Sequence, residues 1–227
     1  MTILSQNTFF AVLLTVATYL IAAWLQRKTK WTFLSPVIVG ALLVLPVLYL
    51  TGTDVAVYQS GVAPLSYLLT PATICLGLSL YEQLQKLKSE LVAILIGVAA
   101  GTAASLLTVL GLCALLGADH TVTVSLLPKS VTTAIGAVLS EEAGGVPSLT
   151  AAVIILTGNL GVLLGNLLCR LFRITDPIAR GVAYGTASHV IGTSHALSES
   201  PLTGAVSSLS LTVAGLITAV VFPLLTA

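Results

Sequence analysis

The stretch Leu126-Leu127-Pro128-Lys129-Ser130-Val131-Thr132-Thr133-Ala134-Ile135-Gly136-Ala137-Val138-Leu139 is apolar enough to enter a membrane, yet it carries a proline, a lysine and hydroxyls in its middle. In lipid an unpaired backbone group is costly, so a Pro-Lys-Ser interruption at depth is tolerated only where protein or a water-filled cavity surrounds it. A companion, Gly185-Thr186-Ala187-Ser188-His189-Val190-Ile191-Gly192-Thr193-Ser194-His195-Ala196, has the same character. Two such interruptions in one chain predict a binding site.

Of 227 residues, 56% are hydrophobic and 7% charged, against roughly a quarter charged in ordinary globular domains. That composition defines an all-α integral membrane protein. Apolar runs at 8–26, 33–51, 63–80, 91–117, 147–169 and 204–225 each reach or approach the roughly 20 residues that span a bilayer as helix. Six spans follow, or eight if the two polar segments are counted. The whole chain, 1–227, reads as one polytopic membrane domain, with four spans in 1–118 and, in 119–227, two polar segments each followed by a span. A net charge of +1 and the lack of a long basic run give no reason to expect nucleic acid. The first span reads as retained rather than cleaved. Cys75, Cys113 and Cys169 lie in apolar runs without metal-ligand spacing and read as small core hydrophobes.

Charge placement bears on topology. Arg27, Lys28 and Lys30 follow the first run, and Lys86 and Lys88 lie in the loop after the third, whereas Asp54, Asp119 and His120 fall in the alternate loops. The positive-inside rule then puts the N-terminus outside. For Arg170 and Arg173 to lie inside as well, the chain between Asp119 and Pro147 must return to the side it came from. A re-entrant hairpin does this: about ten residues of helix reach about half of a 30 Å core, which places 128–130 near its tip. The same arithmetic fits 178–198. An offset of 57 residues sets Glu142 against Glu199 and Gly158 against Gly215, which reads as an inverted repeat whose hairpin tips meet near the midplane. Two broken helices crossing at that place are the alternative. Gly97 and Gly101, and Gly158, Gly161 and Gly165, have the small-residue spacing of close helix packing.

Ionisable groups at depth are functional hypotheses by default, and Lys129 is the basic residue that lies well inside an apolar segment. Helical spacing from it places Thr132, Thr133 and Gly136 on one face. A helix restarting after Pro128 would add its N-terminal amides, suiting a carboxylate; snorkelling to an interface is the plainer reading. In the companion stretch Ser188, Gly192 and His195 share one helical face and His189 and Thr193 another. His189 is suited to carry a proton, to donate a hydrogen bond, or to be satisfied by a backbone carbonyl. Asp176 and Pro177 read as the cap and first position of a helix, with Arg180 capping, pairing or guiding an anion. Glu141 and Glu142 read as a solvated loop. Two histidines without a carboxylate or cysteine nearby make a poor metal site. No phosphate loop or catalytic triad stands out, so neither enzymatic activity nor a cofactor is expected.

Taken together, Leu127-Pro128-Lys129-Ser130-Val131-Thr132-Thr133, Asp176-Pro177-Ile178-Ala179-Arg180-Gly181 and Gly185-Thr186-Ala187-Ser188-His189 followed by Gly192-Thr193 resemble the LrgB/CidB family of bacterial membrane proteins. The family's plant relatives resemble the chain as the C-terminal half of a plastid glycolate and glycerate translocator. The similarity runs from Leu34-Ser35-Pro36 through Tyr81-Glu82-Gln83 to the last span. It implies a multi-pass protein of the bacterial inner membrane that carries small monocarboxylates of the pyruvate, glycolate or glycerate type. The rival implication is a holin- or antiholin-like regulator of murein hydrolase activity and lysis. It also implies a homodimer, a small LrgA/CidA-type subunit, or both. Two positions depart from the family: Ala134, where proline is frequent, and His195, where arginine or lysine is common. The expected substrate contacts are Lys129, Ser130, Thr132, Thr133, Ser188, His189 and Thr193, with Arg180 and His195 gating the site or guiding the anion.

Overall fold

The computed structural model describes residues 8–29, 36–68, 71, 74–75 and 81–226, and among them every regular element is a helix. The chain divides into two compact units, Met1–Cys75 and Leu76–Ala227. The first holds α1 (Thr8–Thr29), α2 (Pro36–Thr51), α3 (Val55–Gly61) and α4 (Ala63–Ser66). Gly40 of α2 faces α1 beside Tyr19, where an added methyl would sit at ordinary contact distance, 3.6 Å from the Tyr19 Cα. Thr15 of α1 and the Tyr58 hydroxyl of α3 share a 2.6 Å hydrogen bond. Between α2 and α3 the chain bends by 119°. Gly52 takes the left-handed conformation this needs (φ +63°), and the Asp54 side chain caps α3 by accepting from the Ala56 amide.

The second unit holds α5 (Leu84–Leu116), α6 (His120–Leu126), α7 (Thr133–Glu142), α8 (Pro147–Leu171), α9 (Pro177–Glu199) and α10 (Pro201–Thr226). Helices α6 and α7 are two arms of a hairpin. His120 at the start of α6 lies 3.2 Å from the Ala143 carbonyl just past α7, and the Val146 amide donates to Ser125 Oγ (2.8 Å). The chain therefore leaves where it entered, after turning through 127–132. Helix α9 is a second hairpin. At 1.5 Å per residue a straight helix would hold residues 180 and 199 about 28 Å apart, yet Arg180 and Glu199 form an ion pair of 2.6 Å. The turn falls at His189, which has non-helical backbone angles (φ 42°, ψ −134°).

The three long helices show how the hairpins are disposed. Along α5, Val109 and Cys113 pack with Val124 and Leu127 of the first hairpin, whereas Gly97 and Gly101 face Val182 and Thr186 of the second. Along α8, Thr150 bonds Ser140 (2.8 Å), whereas Gly158, Gly161 and Gly165 receive His189, Ser188 and Tyr184. Along α10, Val206 abuts Gly181, and Gly215 meets Ile135. Each long helix thus carries the first hairpin on one half and the second on the other. The two turns face each other between residues 101–105 of α5 and 154–158 of α8. The glycines noted for their spacing on α5 and α8 are the positions that let the second hairpin seat.

An offset of 57 also relates the first turns of the two hairpins. Asp119 caps α6 through the Val122 amide (2.7 Å), and Asp176 caps α9 through the Ala179 amide (2.8 Å).

Several expectations change. Among the described residues four helices (α1, α5, α8, α10) are long and apolar enough to cross a bilayer, or five if bent α2 and α3 form one span, fewer than the six to eight expected of the whole chain. The two polar segments, which the count of eight takes as spans, each fold back on themselves. Much of the expected third span, 69–70, 72–73 and 76–80, lies outside the described residues, as do Lys30, Leu34 and Ser35. Lys86 and Lys88 belong to the first turns of α5 instead of a loop, because that helix begins at Leu84. Its 33 residues give about 50 Å of helix, so its first turns need not enter the apolar layer. Glu141 and Glu142 end α7, so the loop begins only at Ala143. Cys113 and Cys169 are buried, but Cys75 is exposed.

Candidate functional site

At the turn of the first hairpin, Pro128 breaks the helix and 127–130 form a tight turn with Lys129 N donating to the Leu126 carbonyl. Leu127 still has helical angles (φ −57°, ψ −43°), but Pro128 lacks the amide that would continue the ladder and its ring crowds the preceding turn; the next helix starts at Thr133, with Thr132 as its N-cap residue. The turn delivers Lys129 and Ser130 to the middle of α5. Lys129 Nζ donates to Ser105 Oγ (2.9 Å) and more weakly to Ser130 Oγ (3.5 Å), and the two serine hydroxyls lie 2.9 Å apart. Among the described residues no carboxylate pairs with this ammonium; Glu199 is engaged by Arg180 (2.6 Å), with His195 Nε2 3.2 Å from the same oxygen.

Lys129 and Ser130 face a cleft of about 620 Å³ between α5, α8 and α9. Its walls are small and apolar, including Gly97, Gly101, Ala104 and Gly161, and its polar groups are Lys129, Ser105, Ser130, Thr108, Thr157 and Thr186. A short anion entering here would meet one positive charge among hydroxyls.

The second turn is built differently. His189 is 4% exposed, and its Nε2 lies 2.9 Å from the Ile154 carbonyl. A carbonyl only accepts, so Nε2 carries the proton in this contact. Thr193 Oγ1 donates to the His189 carbonyl (2.9 Å) and is bonded to Ser207 Oγ (2.9 Å), which ties the strained residue to α10. Ser188 is fully buried against Gly161. Its hydroxyl has no partner among the described residues.

At the mouth of the second hairpin a polar cluster closes the two arms onto α8. Arg180 Nη2 donates to Glu199 Oε1 (2.6 Å), and the Tyr184 hydroxyl donates to Asn166 Oδ1 (2.9 Å). Asn166 Nδ2 lies 3.0 Å from His195 Nε2. The same His195 Nε2 lies 3.2 Å from Glu199 Oε1.

The expected site residues are therefore sorted into three places. Lys129 and Ser130 stand at the cleft. Ser188, His189 and Thr193 form the buried turn of the second hairpin, and Arg180 and His195 converge on Glu199. Thr132 and Thr133 do not share a helical face with Lys129, because 127–132 is not helical; Thr133 is exposed, and neither residue lines the cleft. Ser105, Thr102 and Asn166 were not anticipated. For Ser105 a signal existed: Gly97, Gly101 and Ser105 recur every four residues, marking one small face of α5. No group of three metal-ligating side chains occurs among the described residues.

Helices of this length and apolarity, stacked around two facing hairpins, define a multi-pass helical membrane protein. The sequence model of the LrgB-like family matches residues 15–227, nearly the whole chain, and the protein belongs to that family. No solved structure matches it.

Proposed function

We propose that this protein is a carrier of small monocarboxylates in the bacterial inner membrane, with the two hairpin turns near the bilayer midplane and the substrate anion held at Lys129. One observation carries this reading: a lysine ammonium stands at the meeting point of the hairpins with hydroxyls around it and no carboxylate of the described residues paired with it. A charge left unpaired at such depth is expensive, and an anionic substrate supplies the missing partner. Ser130 and Ser105 orient the ammonium, while His189 and Thr193 act indirectly by fixing the opposite turn. Arg180 and His195 close the mouth of the second hairpin. The protein works as a dimer or with a small LrgA/CidA-type subunit, which the mass of the detergent-solubilised particle tests.

The deciding measurement is uptake of labelled pyruvate and glycolate into proteoliposomes. Saturable uptake is expected for the parent, with Lys129→Met at least about tenfold slower, the scale of one lost hydrogen bond to a charged group. Equal uptake by parent and variant would overturn the assignment of Lys129. Leakage of a trapped dye without saturable uptake would instead favour the lysis-regulating role.

A further inference from the structure

Two threonines near the meeting point of the hairpins have hydroxyls that the protein itself does not satisfy. Thr102 of α5 is 4% exposed and Thr186 of α9 is 5% exposed, and neither Oγ1 has a hydrogen-bond partner among the described residues. Helical threonines in this protein ordinarily turn back on the carbonyl four residues earlier, as Thr108 does to Ala104 (2.6 Å) and Thr212 to Ser208 (2.9 Å). That local bond is open to any threonine in a helix, and in apolar surroundings an unsatisfied hydroxyl is costly. Thr186 is also held from behind, since its methyl packs on Gly101, where an added Cβ would lie 2.9 Å away.

Both threonines line one small recess, together with Ser105, Ser130, Pro128 and Thr218. Its volume, about 10 Å³, is room for about one oxygen-sized atom. The recess shares Ser105, Ser130 and Thr186 with the large cleft, so the two adjoin at the serines that hold Lys129. No charged residue lines it. A carboxylate oxygen is better served by the ammonium, whereas hydroxyls that can donate and accept suit an uncharged oxygen.

We infer that Thr102 and Thr186 form a one-oxygen subsite for the hydroxyl or keto oxygen on the carbon next to the substrate carboxylate. The inference rests on the carrier reading, with Lys129 taking the carboxylate. Such a subsite makes the protein selective for 2-hydroxy and 2-oxo acids over plain short acids, because an acid lacking that oxygen leaves both hydroxyls unpaired.

The test compares uptake of lactate and propionate, which differ by that oxygen, in proteoliposomes of the full chain. The parent should prefer lactate by about 10- to 100-fold, the range expected for a buried hydroxyl pairing gained or lost. Thr102→Val and Thr186→Val should each reduce the preference to within about threefold by slowing lactate alone, and Thr186→Ser should restore most of it. Thermal melting of each variant in detergent separates misfolding from lost selectivity; should a valine variant unfold, the parent's lactate preference together with the serine variant decides. Selectivity unchanged in folded valine variants would overturn the subsite, and so would lowered melting temperature with selectivity intact, the mark of a structural water. If Lys129→Met abolishes uptake of both acids while the valine variants behave as the parent, the carrier reading survives and the subsite alone falls. A parent that takes up pyruvate or glycolate but neither of these acids overturns the subsite alone, and one that takes up none of the four refutes both.

Discussion

The first hairpin turns through six residues, 127–132, while the second turns on the single residue His189. The first uses proline to break the helix, so its side chains are not needed to hold the bend. Lys129 and Ser130 are left to face the cleft. The second keeps helix on both sides of a non-glycine residue at φ 42°, a conformation that costs about 1–3 kcal/mol unless its surroundings enforce it. The enforcement is visible: the imidazole is bonded to Ile154, the carbonyl accepts from Thr193, and Gly158 and Gly161 make room for the turn. His189 and Thr193 of the second turn are engaged in holding its shape, whereas Lys129 and Ser130 of the first line the cleft.

The largest expected effect tests that division. Lys129→Met should cost at least about tenfold in carboxylate uptake with little change in melting temperature, because the lysine makes few structural bonds. His189→Ala should lower uptake and stability together, since it removes the bond to Ile154. If His189→Ala instead leaves stability intact and abolishes uptake, the contrast between a chemical turn and a structural one is wrong.

Next in size is Gly161→Ala. The added methyl would collide with Ser188 Oγ, and forcing extra volume into a packed contact typically costs about 1–3 kcal/mol. Gly111→Ala, where an added Cβ meets nothing within 4 Å, should be neutral or stabilise by up to about 1 kcal/mol through helix propensity. Unfolding of both variants in mixed micelles checks this; equal stabilities would mean that the second turn is not seated on α8 through Gly161.

These differences explain what the sequence disclosed. Lys129 was legible because a lone charge and a proline interrupt an apolar run. The doubling back of both polar segments was legible from charge placement and half-span length. The division of labour was not. Nothing in Gly185–Ala196 distinguishes a histidine that binds a ligand from one held by a backbone carbonyl, because that carbonyl, of Ile154, comes from another helix. Thr102 was equally hidden: a threonine in a long apolar helix usually satisfies itself, and only the tertiary structure shows that its hydroxyl has no partner among the described residues. Thr132 and Thr133 mislead for a local reason, since helical spacing cannot be counted from a residue that precedes the helix.

A smaller effect should be shared by the hairpins. Asp119 and Asp176 cap their first arms through the same kind of contact, so Asp119→Ala and Asp176→Ala should each cost about 1 kcal/mol. A much larger loss for one of them, by denaturant unfolding, would mean that the two caps are not equivalent.

The mouths supply the smallest effect and the finest distinction. The first is joined by a contact between His120 and the uncharged Ala143 carbonyl, the second by the ion pair of Arg180 with Glu199. That pair is partly exposed, its side chains 28% and 20% accessible, so its coupling should be about 0.2–1 kcal/mol. A double-mutant cycle of Arg180→Met and Glu199→Gln measures it, and about 1 M salt, which shortens the screening length to about 3 Å, should reduce it. His120→Ala should show no comparable salt dependence, since the group it contacts carries no charge. A coupling near zero would transfer closure of the second mouth to the bond between Tyr184 and Asn166. Tyr184→Phe would then destabilise the hairpin more than Arg180→Met does.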